Sequence, residues 1–498
     1  MNFPAALVVP HEPVTPVTGL AFREPPDHPF HGQEVRMSKL SEIDTWLAEN
    51  FSALLAEHQV PGAAIAVFSN GEVIDHAAGV LNKNTGVEST VDSVFQIGSI
   101  TKVWTTTLAM QLVDEGRLDL DKPVREYLPE FSLSDDEAAS RITVRQLTCH
   151  TSGFEGDIFT DTGQGDDCVA KLVATLSDVP QLFQPGEMFS YNNAGYCVLG
   201  RIVEVLRGKS YDDCLRDHLF TPLGLTHAAT GPYDAIRYRA AIGHLQPKPD
   251  DEPVAAPAWA LTRSNVPAGS HLAMRPRDLL TFVRMHLNEG RADDGTQVLR
   301  PETARAMWER QVELPYLGLM GGAWGLGWMI FDWDGGPVIG HDGGTIGQSA
   351  FLRVVPGSNV AVALLTNGGK PLHLYLDVFR KVLGDLAGVE VPALPEPNAA
   401  EAPADPSRYV GEYSSQVADI VVTQDEEGGL WLERTMKGTF ADLGSAPEKT
   451  RLLGYKGDTL VAEHDGLGLH MPHAFVGDDG TGRALFVHTG RADRRVTR

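Results

Sequence analysis

The sequence has few cysteines, a shortage of positive charge and no long apolar run. Its 498 residues include only four cysteines, which form neither a CxxC pair nor a cysteine–histidine spacing that suits zinc. Free thiols in a reducing compartment are therefore expected. With 41 Lys and Arg against 66 Asp and Glu, the formal net charge is −25. A chain this acidic is a poor partner for nucleic acid or for anionic membrane surfaces.

The first residues lack the features of a secretory signal, because no basic segment precedes an apolar one. No stretch approaches the roughly 18 apolar residues that span a bilayer. These absences predict a cytoplasmic protein without membrane contact. Residues 1–36 are instead rich in proline and predict an irregular arm, with Met37 as an alternative start. The acidic loop Asp157–Asp167 lacks calcium-loop spacing, so neither a metal nor another cofactor is expected.

The apolar pattern predicts a mixed α/β region followed by an all-β region. Helical spacing over Leu40–Glu57 leads into two β-prone segments that flank the turn Asn70-Gly71. After a helix over Val103–Glu115, a mainly helical stretch continues to about residue 290. Strand signals then return and a last helix follows, at 325–332, 337–340, 349–355, 359–366 and 372–386.

Strands at both ends of a region with a helical middle predict one antiparallel sheet built from the two ends. The helical part is then inserted as a second lobe, and the cleft between the lobes is the default binding site. We expect this α+β region over residues 37–389. A Pro/Ala/Glu linker is predicted over 390–406, and a small antiparallel barrel or sandwich over 407–498.

Ser99 and Lys102 lie three positions apart where an extended segment becomes a helix, so they share one helix face. A serine hydroxyl becomes a good nucleophile when a neighbouring group takes its proton. A lysine can do so where burial lowers its pKa. Gly98 allows close backbone approach, and the helix start supplies N–H groups for an oxyanion. Taken alone, the pattern also fits a helix-capping serine beside a solvated lysine.

Two later segments carry polar groups suited to the same chemistry. Tyr191 and Asn193 follow the turn Gln184-Pro185-Gly186; a phenol can relay protons and a carboxamide can bind a substrate carbonyl. His341 precedes Gly343 and Gly344 at a predicted strand edge, where a backbone N–H can complete an oxyanion hole. Singly, Tyr191 also fits a half-buried aromatic residue and His341 a structural contact.

In combination, Ser-x-x-Lys, Tyr-x-Asn and His-x-Gly resemble the motifs of the penicillin-binding-protein and class C β-lactamase superfamily of serine hydrolases. The resemblance covers roughly residues 40–390. Further segments similar to this family are 94–98, 147–153, 196–200, 221–225 and 324–328. The C-terminal region resembles the lipocalin-like β-domain that some of these enzymes carry, where it covers the cleft and contacts substrate.

The resemblance implies a role for each motif residue. Ser99 would be the acylated nucleophile, Lys102 its proton acceptor, and Tyr191 the group that moves the proton to the leaving group. Asn193 would hold the substrate amide. The N–H groups of Ser99 and Gly344, on the Gly343–Gly344 edge, would form the oxyanion hole. His341 is a further candidate, as a hydrogen-bond donor to an oxyanion, a carboxylate or the tyrosine.

Two arginines near the end of the chain, Arg483 and Arg491, are candidates to pair with a substrate carboxylate; solvated surface positions are the alternative. The sequence departs from many lactamases and DD-peptidases, which have Lys-Thr-Gly where this chain has His341-Asp342-Gly343. A neutral histidine supplies no permanent cation and Asp342 adds a like charge, so efficient β-lactam hydrolysis is not expected.

These observations predict a serine hydrolase or acyltransferase that forms an acyl-enzyme from esters, amides or thioesters. Its substrates would be peptide-like or small acyl compounds, by resemblance often D-configured, including a carrier-bound thioester. Three alternatives remain open: a penicillin-binding-protein-type thioesterase that cyclises a peptide, an esterase or D-aminopeptidase, and a non-catalytic binding module.

Overall fold

The computed structural model describes residues 38–246, 251–318, 320–401, 405–437, 447–463 and 469–496. The arm predicted over residues 1–36 and the alternative start at Met37 lie outside this range. The described residues from Lys39 onward form one compact unit. The predicted domain boundaries therefore stay a prediction, since the α/β region and the barrel pack together.

The helices are α1 Lys39–Glu57, α2 Thr101–Asp114, α3 Asp136–Arg141, α4 Val144–Thr148, α5 Cys168–Ala174, α6 Asn193–Arg207, α7 Tyr211–Leu215, α8 Pro232–Ala235, α9 Pro276–Leu287, α10 Pro301–Ala306 and α11 Pro371–Ala387. The strands of the α/β region are β1 Gly62–Ser69, β2 Glu72–Asn82, β3 Val87–Glu88, β4 Phe95–Gln96, β5 Ala228–Ala229, β6 His244–Leu245, β7 Val254–Ala255, β8 Ala273–Met274, β9 Val312–Glu313, β10 Ala323–Trp324, β11 Met329–Trp333, β12 Gly336–Gly344, β13 Ser349–Val355 and β14 Val360–Thr366. Those of the barrel are β15 Gly411–Ser414, β16 Ala418–Gln424, β17 Leu430–Met436, β18 Glu448–Lys456, β19 Thr459–Ala462, β20 Pro472–Val476, β21 Phe486–His488 and β22 Ala492–Arg495.

The α/β region is built on an antiparallel sheet that joins its two ends. Over the described residues this sheet has nine strands in the order β3-β2-β1-β14-β13-β12-β11-β10-β9. Strand β1 pairs with β14, which lies about 300 residues later, with Ile65 opposite Leu364. The predicted α+β architecture is therefore confirmed: one sheet from both ends, with the helices inserted between them.

Strand β1 shows why the sheet is buried on both faces. Its sequence, Gly-Ala-Ala-Ile-Ala-Val-Phe-Ser, is almost entirely apolar, and successive side chains point to opposite faces. Ile65 and Val67 pack into the cluster that contains α1 and α11. Ala66 and Phe68 pack into the larger cluster formed with the inserted helices. The sheet is thus the middle layer, and its strand β12 lies against the turn Gly98–Ile100 that leads into α2.

One strand prediction needs correction. The segment Gly325–Asp332 was expected to be a single strand, but a turn separates β10 from β11. Gly327 has φ +83° within this turn, and a Cβ there would lie 2.6 Å from the hydroxyl oxygen of Thr106. The turn exists because this backbone lies directly against helix α2, a contact that the local apolar pattern does not encode.

The C-terminal strands form a closed barrel in which each strand pairs with the next and β22 pairs with β15. This up-and-down arrangement agrees with the resemblance to a lipocalin-like domain. Alternating sequence patterns predict five strands here, at 409–414, 419–423, 430–433, 459–463 and 484–488, which correspond to β15, β16, β17, β19 and β21. Strands β18, β20 and β22 were not predicted. The interior of the barrel is filled by side chains such as Tyr413, Ile420 and Phe475.

Candidate active site

Ser99 lies on a single 3₁₀ turn, Gly98–Ile100, that runs directly into helix α2. This turn carries Ser99 and Lys102 on one side, and the Nζ atom of Lys102 lies 3.1 Å from Oγ of Ser99. Nζ also donates to the carbonyl oxygen of Ala268 at 2.6 Å. The second contact fixes the position of the amine nitrogen, so that the nitrogen stays directed at the serine hydroxyl.

The surroundings of Lys102 favour its neutral form. Its side chain is completely buried. Burial lowers the pKa of Lys102 from 10.5 to about 7; the Cys197 thiol opposes this shift and the charge of Arg491 adds to it. A neutral amine is therefore present in quantity near pH 7, and a neutral amine can accept a proton from a hydroxyl.

Tyr191 completes this group. The Nζ atom of Lys102 lies 4.7 Å from the centre of the Tyr191 ring. Burial raises the pKa of Tyr191, and a hydrogen bond with Ser99 partly offsets that rise. The phenol is therefore protonated and lies within hydrogen-bonding reach of the serine. The structure thus brings together the serine, the amine and the phenol that the sequence analysis singled out.

The edge of β12 lies against the Ser99 turn. A Cβ on Gly343 would be 1.9 Å from the carbonyl oxygen of Ile97, and one on Gly98, which has φ +52°, would be 2.6 Å from the Gly344 nitrogen. Contact this close is possible only between glycines. It places the backbone N–H groups of Ser99 and Gly344 on neighbouring segments, as an oxyanion hole requires.

His341 is on the same strand and is 1% exposed. Its Nδ1 lies 2.6 Å from the carbonyl oxygen of Asp342, so Nδ1 carries the ring proton. Nε2 is buried without a hydrogen-bond partner among the described residues. Burial lowers the pKa of His341 to about 3, with the charge of Lys102 as the next cause. The neutral ring therefore offers Nε2 as an acceptor. The donor role predicted from the sequence would need a second ring proton, which burial opposes.

We expect His341→Ala to slow turnover roughly tenfold while leaving Ser99 open to acylation, because one substrate hydrogen bond is lost. Steady-state kinetics on an ester and labelling with a fluorophosphonate probe measure the two effects separately. His373→Ala, on α11, is the matched control. If His341→Ala abolished labelling, the histidine would belong to the acylation step itself.

Asp342 does not add an uncompensated charge to the cleft, which corrects the argument made from the sequence. Its carboxylate accepts two hydrogen bonds from Arg353 on β13, at 2.6 and 3.0 Å. The Arg353 side chain is 3% exposed and that of Asp342 is 33% exposed. The guanidinium also lies 4.3 Å from the Phe331 ring centre. The pair neutralises Asp342 within the sheet.

Asp342→Asn should lower the free energy of unfolding by about 2–3 kcal/mol, because Arg353 would keep a buried charge without its partner. Urea denaturation measures this loss. The control is Asp332→Asn on the neighbouring strand β11. It removes an exposed ion-pair partner of Arg310 and should lower the free energy of unfolding by less than about 1 kcal/mol. Equal losses in the two variants would show that the burial of Arg353 does not increase the contribution of its ion pair to stability.

Asn193 and Arg491 meet at a shared carboxylate. The Nδ2 group of Asn193 donates to Asp157 at 2.6 Å, and Nε of Arg491 donates to the same side chain at 2.5 Å. The Arg491 guanidinium lies 4.9 Å from the ring centre of Tyr191. Arg483, in contrast, is exposed on the turn after β20, where its backbone N–H donates to Asp479. Of the two arginines, the structure places Arg491 beside the candidate site, and the role predicted for Arg483 stays a prediction.

The barrel holds the segment that carries Tyr191. The backbone N–H of Tyr191 donates to the carbonyl oxygen of Gly490 at 2.9 Å. The hydroxyl of Ser190 accepts from the N–H of Ala492 at 3.1 Å, and Nε2 of His488 donates to the carbonyl oxygen of Phe189 at 2.8 Å. Each of the three residues 189–191 is therefore held by one hydrogen bond to the β21–β22 hairpin.

His150 is a residue of this site to which the sequence analysis gave no role. Its ring stacks on that of Tyr191 with centres 4.4 Å apart, and its Nδ1 accepts the backbone N–H of Asn192 at 2.9 Å. Burial lowers the pKa of His150 well below its usual value. Its sequence segment was recognised only as part of the family resemblance. The structure shows that its backbone has φ +59°, which the sequence does not reveal for a histidine.

A sheet-and-helix fold that brings a serine, a buried lysine and a buried tyrosine together fits a serine hydrolase. A family model described as "Beta-lactamase" matches residues 47–383. The chain belongs to this β-lactamase family, as the resemblance in its motifs indicated.

Individual relatives agree with this assignment. "Penicillin-binding protein 4" of Amycolatopsis lactamdurans is 49% identical over 371 residues, which cover 74% of this chain and 97% of the relative. The crystal structure of SurE has a TM-score of 0.75 at 28% identity and covers 92% of this chain and 100% of its own. A D-amino acid amidase from Ochrobactrum anthropi SV3, complexed with L-phenylalanine, has a similar fold, with a TM-score of 0.57 at 22% identity and 70% and 99% coverage.

No helix in the described part of the chain is long and apolar enough to cross a membrane.

Proposed function

We propose that this hydrolase forms an acyl-enzyme on Ser99 from an ester, amide or thioester of a peptide-like or small acyl substrate. One observation carries the proposal: the buried Lys102 amine, with a pKa near 7, lies 3.1 Å from the Ser99 hydroxyl. In this mechanism Oγ of Ser99 attacks the carbonyl carbon while its proton moves to Nζ of Lys102. The backbone N–H groups of Ser99 and Gly344 stabilise the oxyanion.

Tyr191 then protonates the leaving group, since its phenol is neutral and adjacent to Ser99. The resulting phenolate accepts a proton from the incoming water or amine when the acyl group leaves the enzyme. Asn193 is fixed through its Nδ2 donation to Asp157, which leaves its carbonyl oxygen as an acceptor for a substrate N–H. Protonated Lys102 returns its proton to Oγ of Ser99 as the acyl group leaves, so the amine is neutral again for the next cycle.

A D-configured residue at the acyl position is part of the proposal. SurE has also been crystallised with D-Leu, and that structure covers 92% of this chain with a TM-score of 0.74 at 28% identity. Efficient β-lactam hydrolysis is not part of it, even though a relative is named a penicillin-binding protein. The neutral His341 offers no cation for a β-lactam carboxylate, and Arg491 is already paired with Asp157.

Release of a macrocyclic peptide from a peptidyl thioester is a second candidate function. The barrel hairpin lies on the segment that carries Tyr191, and Arg491 lies against the Tyr191 ring. This cover narrows the access of water to the Tyr191 phenol, which favours an amine over water as acyl acceptor. A simple esterase or D-aminopeptidase would lack any such preference.

The test is mass spectrometry of the intact protein after incubation with a fluorophosphonate probe, p-nitrophenyl esters, D-aminoacyl amides, nitrocefin and a peptidyl thioester ending in a D-residue. We expect an adduct on Ser99 in the wild type and none in Ser99→Ala. Macrocycle in excess over free acid from the thioester would identify the cyclase. A wild-type protein as unlabelled as Ser99→Ala would instead indicate a binding module.

A further inference from the structure

A cavity of about 240 Å³ lies between the α/β region and the barrel, beside the candidate site. Since liquid water occupies about 30 Å³ per molecule, this space is larger than one ordered water needs. Its charged and hydroxyl lining comes from both parts of the chain and includes Glu155, Asp157, Ser190, Arg434, Arg491 and Asp493. A ligand group of the size of a small side chain fits this space.

The lining carries an excess of negative charge. Asp157 is compensated by Arg491. Of the lining residues named, this leaves two carboxylates, Glu155 and Asp493, against the single guanidinium of Arg434. Burial raises the pKa of both carboxyl groups. That of Asp493 rises to about 6, so this group is ionised at neutral pH, and at Glu155 the backbone N–H groups of Gly156 and Gln416 donate to the carboxylate and oppose the rise. A positively charged ligand group would balance the lining.

The cavity lies beside the segment that carries Tyr191 rather than at the oxyanion edge, and its lining residues Ser190 and Arg491 are the neighbours of Tyr191. Ser190 precedes Tyr191 in the chain, and the Arg491 guanidinium lies 4.9 Å from the Tyr191 ring centre. None of the described lining residues belongs to β12, the strand of His341 and Gly344. Tyr191 is the group that exchanges a proton with the leaving group and, by reversibility, with the acyl acceptor. The cavity is therefore on the side of the acceptor.

We propose that this cavity is the acceptor subsite, and that it selects amines carrying a second, positively charged amino group remote from the attacking nitrogen. Diamines and peptides with a basic side chain are the ligand class. The proposal rests on the acyl-enzyme function proposed above and extends it from the acyl group to its acceptor.

The reaction step is an aminolysis of the Ser99 ester. The neutral amine of the acceptor attacks the acyl carbon, a C–N bond forms, and the bond from carbon to Oγ of Ser99 breaks. The proton released by the amine passes to the oxygen of Tyr191, which gave its own proton to the leaving group, and protonated Lys102 returns its proton to Oγ. The remote ammonium stays protonated and keeps its contact with Asp493 and Glu155, so it contributes binding and no chemistry.

The experiment compares two acceptors of similar length, cadaverine and aminopentanol, with the p-nitrophenyl ester of N-acetyl-D-leucine as acyl donor. Mass spectrometry measures the ratio of the two amide products when the acceptors compete in one reaction. After correction for the two equivalent amines of cadaverine, we expect the cadaverine-to-aminopentanol product ratio of the wild type to be about five times the uncatalysed ratio. A factor of about five is what one favourable charge pair contributes. The amide formed in a matched sample without enzyme is subtracted, so loss of folded protein lowers the yield but leaves the ratio of the enzymatic products unchanged.

Two variants should move this ratio in opposite directions. Asp493→Asn should bring it close to the uncatalysed value, because the excess negative charge is gone. Arg434→Gln should raise it above wild type. Glu433→Gln, next to Arg434 but exposed on the outside of the barrel, is the matched control and should keep the wild-type ratio.

Failure of this inference is distinguishable from failure of the proposed function. If an acyl adduct forms on Ser99 but the ratio equals the uncatalysed value in wild type, the subsite proposal is wrong and the acyl-enzyme function stands. The same conclusion follows if Asp493→Asn and Arg434→Gln shift the ratio in the same direction. If no adduct forms on Ser99, the proposed function itself is wrong.

Discussion

Replacing Lys102 with methionine should slow the acylation of Ser99 by roughly 10²–10⁴-fold, the range that a positioned general base contributes. Methionine keeps an unbranched apolar side chain in the buried position but cannot accept the serine proton. Stopped-flow measurement of p-nitrophenol release, under single-turnover conditions, gives the acylation rate directly. The effect is large because the structure places the Lys102 amine against both Ser99 and the carbonyl oxygen of Ala268.

The pH dependence identifies the amine as the base. The pKa of Lys102 is about 7, and the amine accepts a proton only in its neutral form. The wild-type acylation rate should therefore rise as the pH increases through about 7 and level off above it. Lys102→Met should lack this inflection. The control is Lys171→Met, at an exposed lysine on α5 that pairs with Asp167. Equal acylation rates in wild type and Lys102→Met would contradict the assignment of Lys102 as the general base.

Gly343→Ala should also reduce acylation strongly, by roughly 10²–10³-fold, the cost of losing an oxyanion-hole donor. The added Cβ would lie 1.9 Å from the carbonyl oxygen of Ile97. Strand β12 would have to move away from the Ser99 turn, which separates the N–H of Gly344 from that of Ser99. The acylation rate and the urea unfolding curve together show how much of the loss comes from geometry and how much from stability.

Two other glycines provide the comparison for this variant. A Cβ on Gly357, in the turn between β13 and β14, has open space around it, so Gly357→Ala should behave like wild type. A Cβ on Gly344 also has open space and leaves the backbone N–H in place, so Gly344→Ala should lose less activity than Gly343→Ala. An equal loss at 343 and 344 would show that the close contact with Ile97 is not the cause.

The sequence was sufficient for the parts of the molecule that depend on local pattern. The apolar run of β1, the turn at Asn70-Gly71 and the spacing of Ser99 and Lys102 each depend on residues close together in the chain. The pairing of β1 with β14 then followed from the general rule that apolar strands at both ends of a region share a sheet.

What the sequence could not supply is the set of contacts between distant segments. Asp157 and Arg491 are 334 residues apart, and nothing in either local segment indicates that they pair. For the same reason Arg483 and Arg491 cannot be distinguished by their local sequence, and the stacking of His150 on Tyr191 cannot be predicted from it. The partner of Asp342 was also missed, because Arg353 is recognisable only once the register of β12 and β13 is known.

The three hydrogen bonds between residues 189–191 and residues 488–492 make the order of synthesis matter. Ser99 and Lys102 leave the ribosome early, whereas the hairpin that fixes Tyr191 follows several hundred residues later. We expect the nascent polypeptide to remain inert toward cellular esters through most of translation. Full reactivity would begin only when residue 492 has emerged and its hairpin has docked.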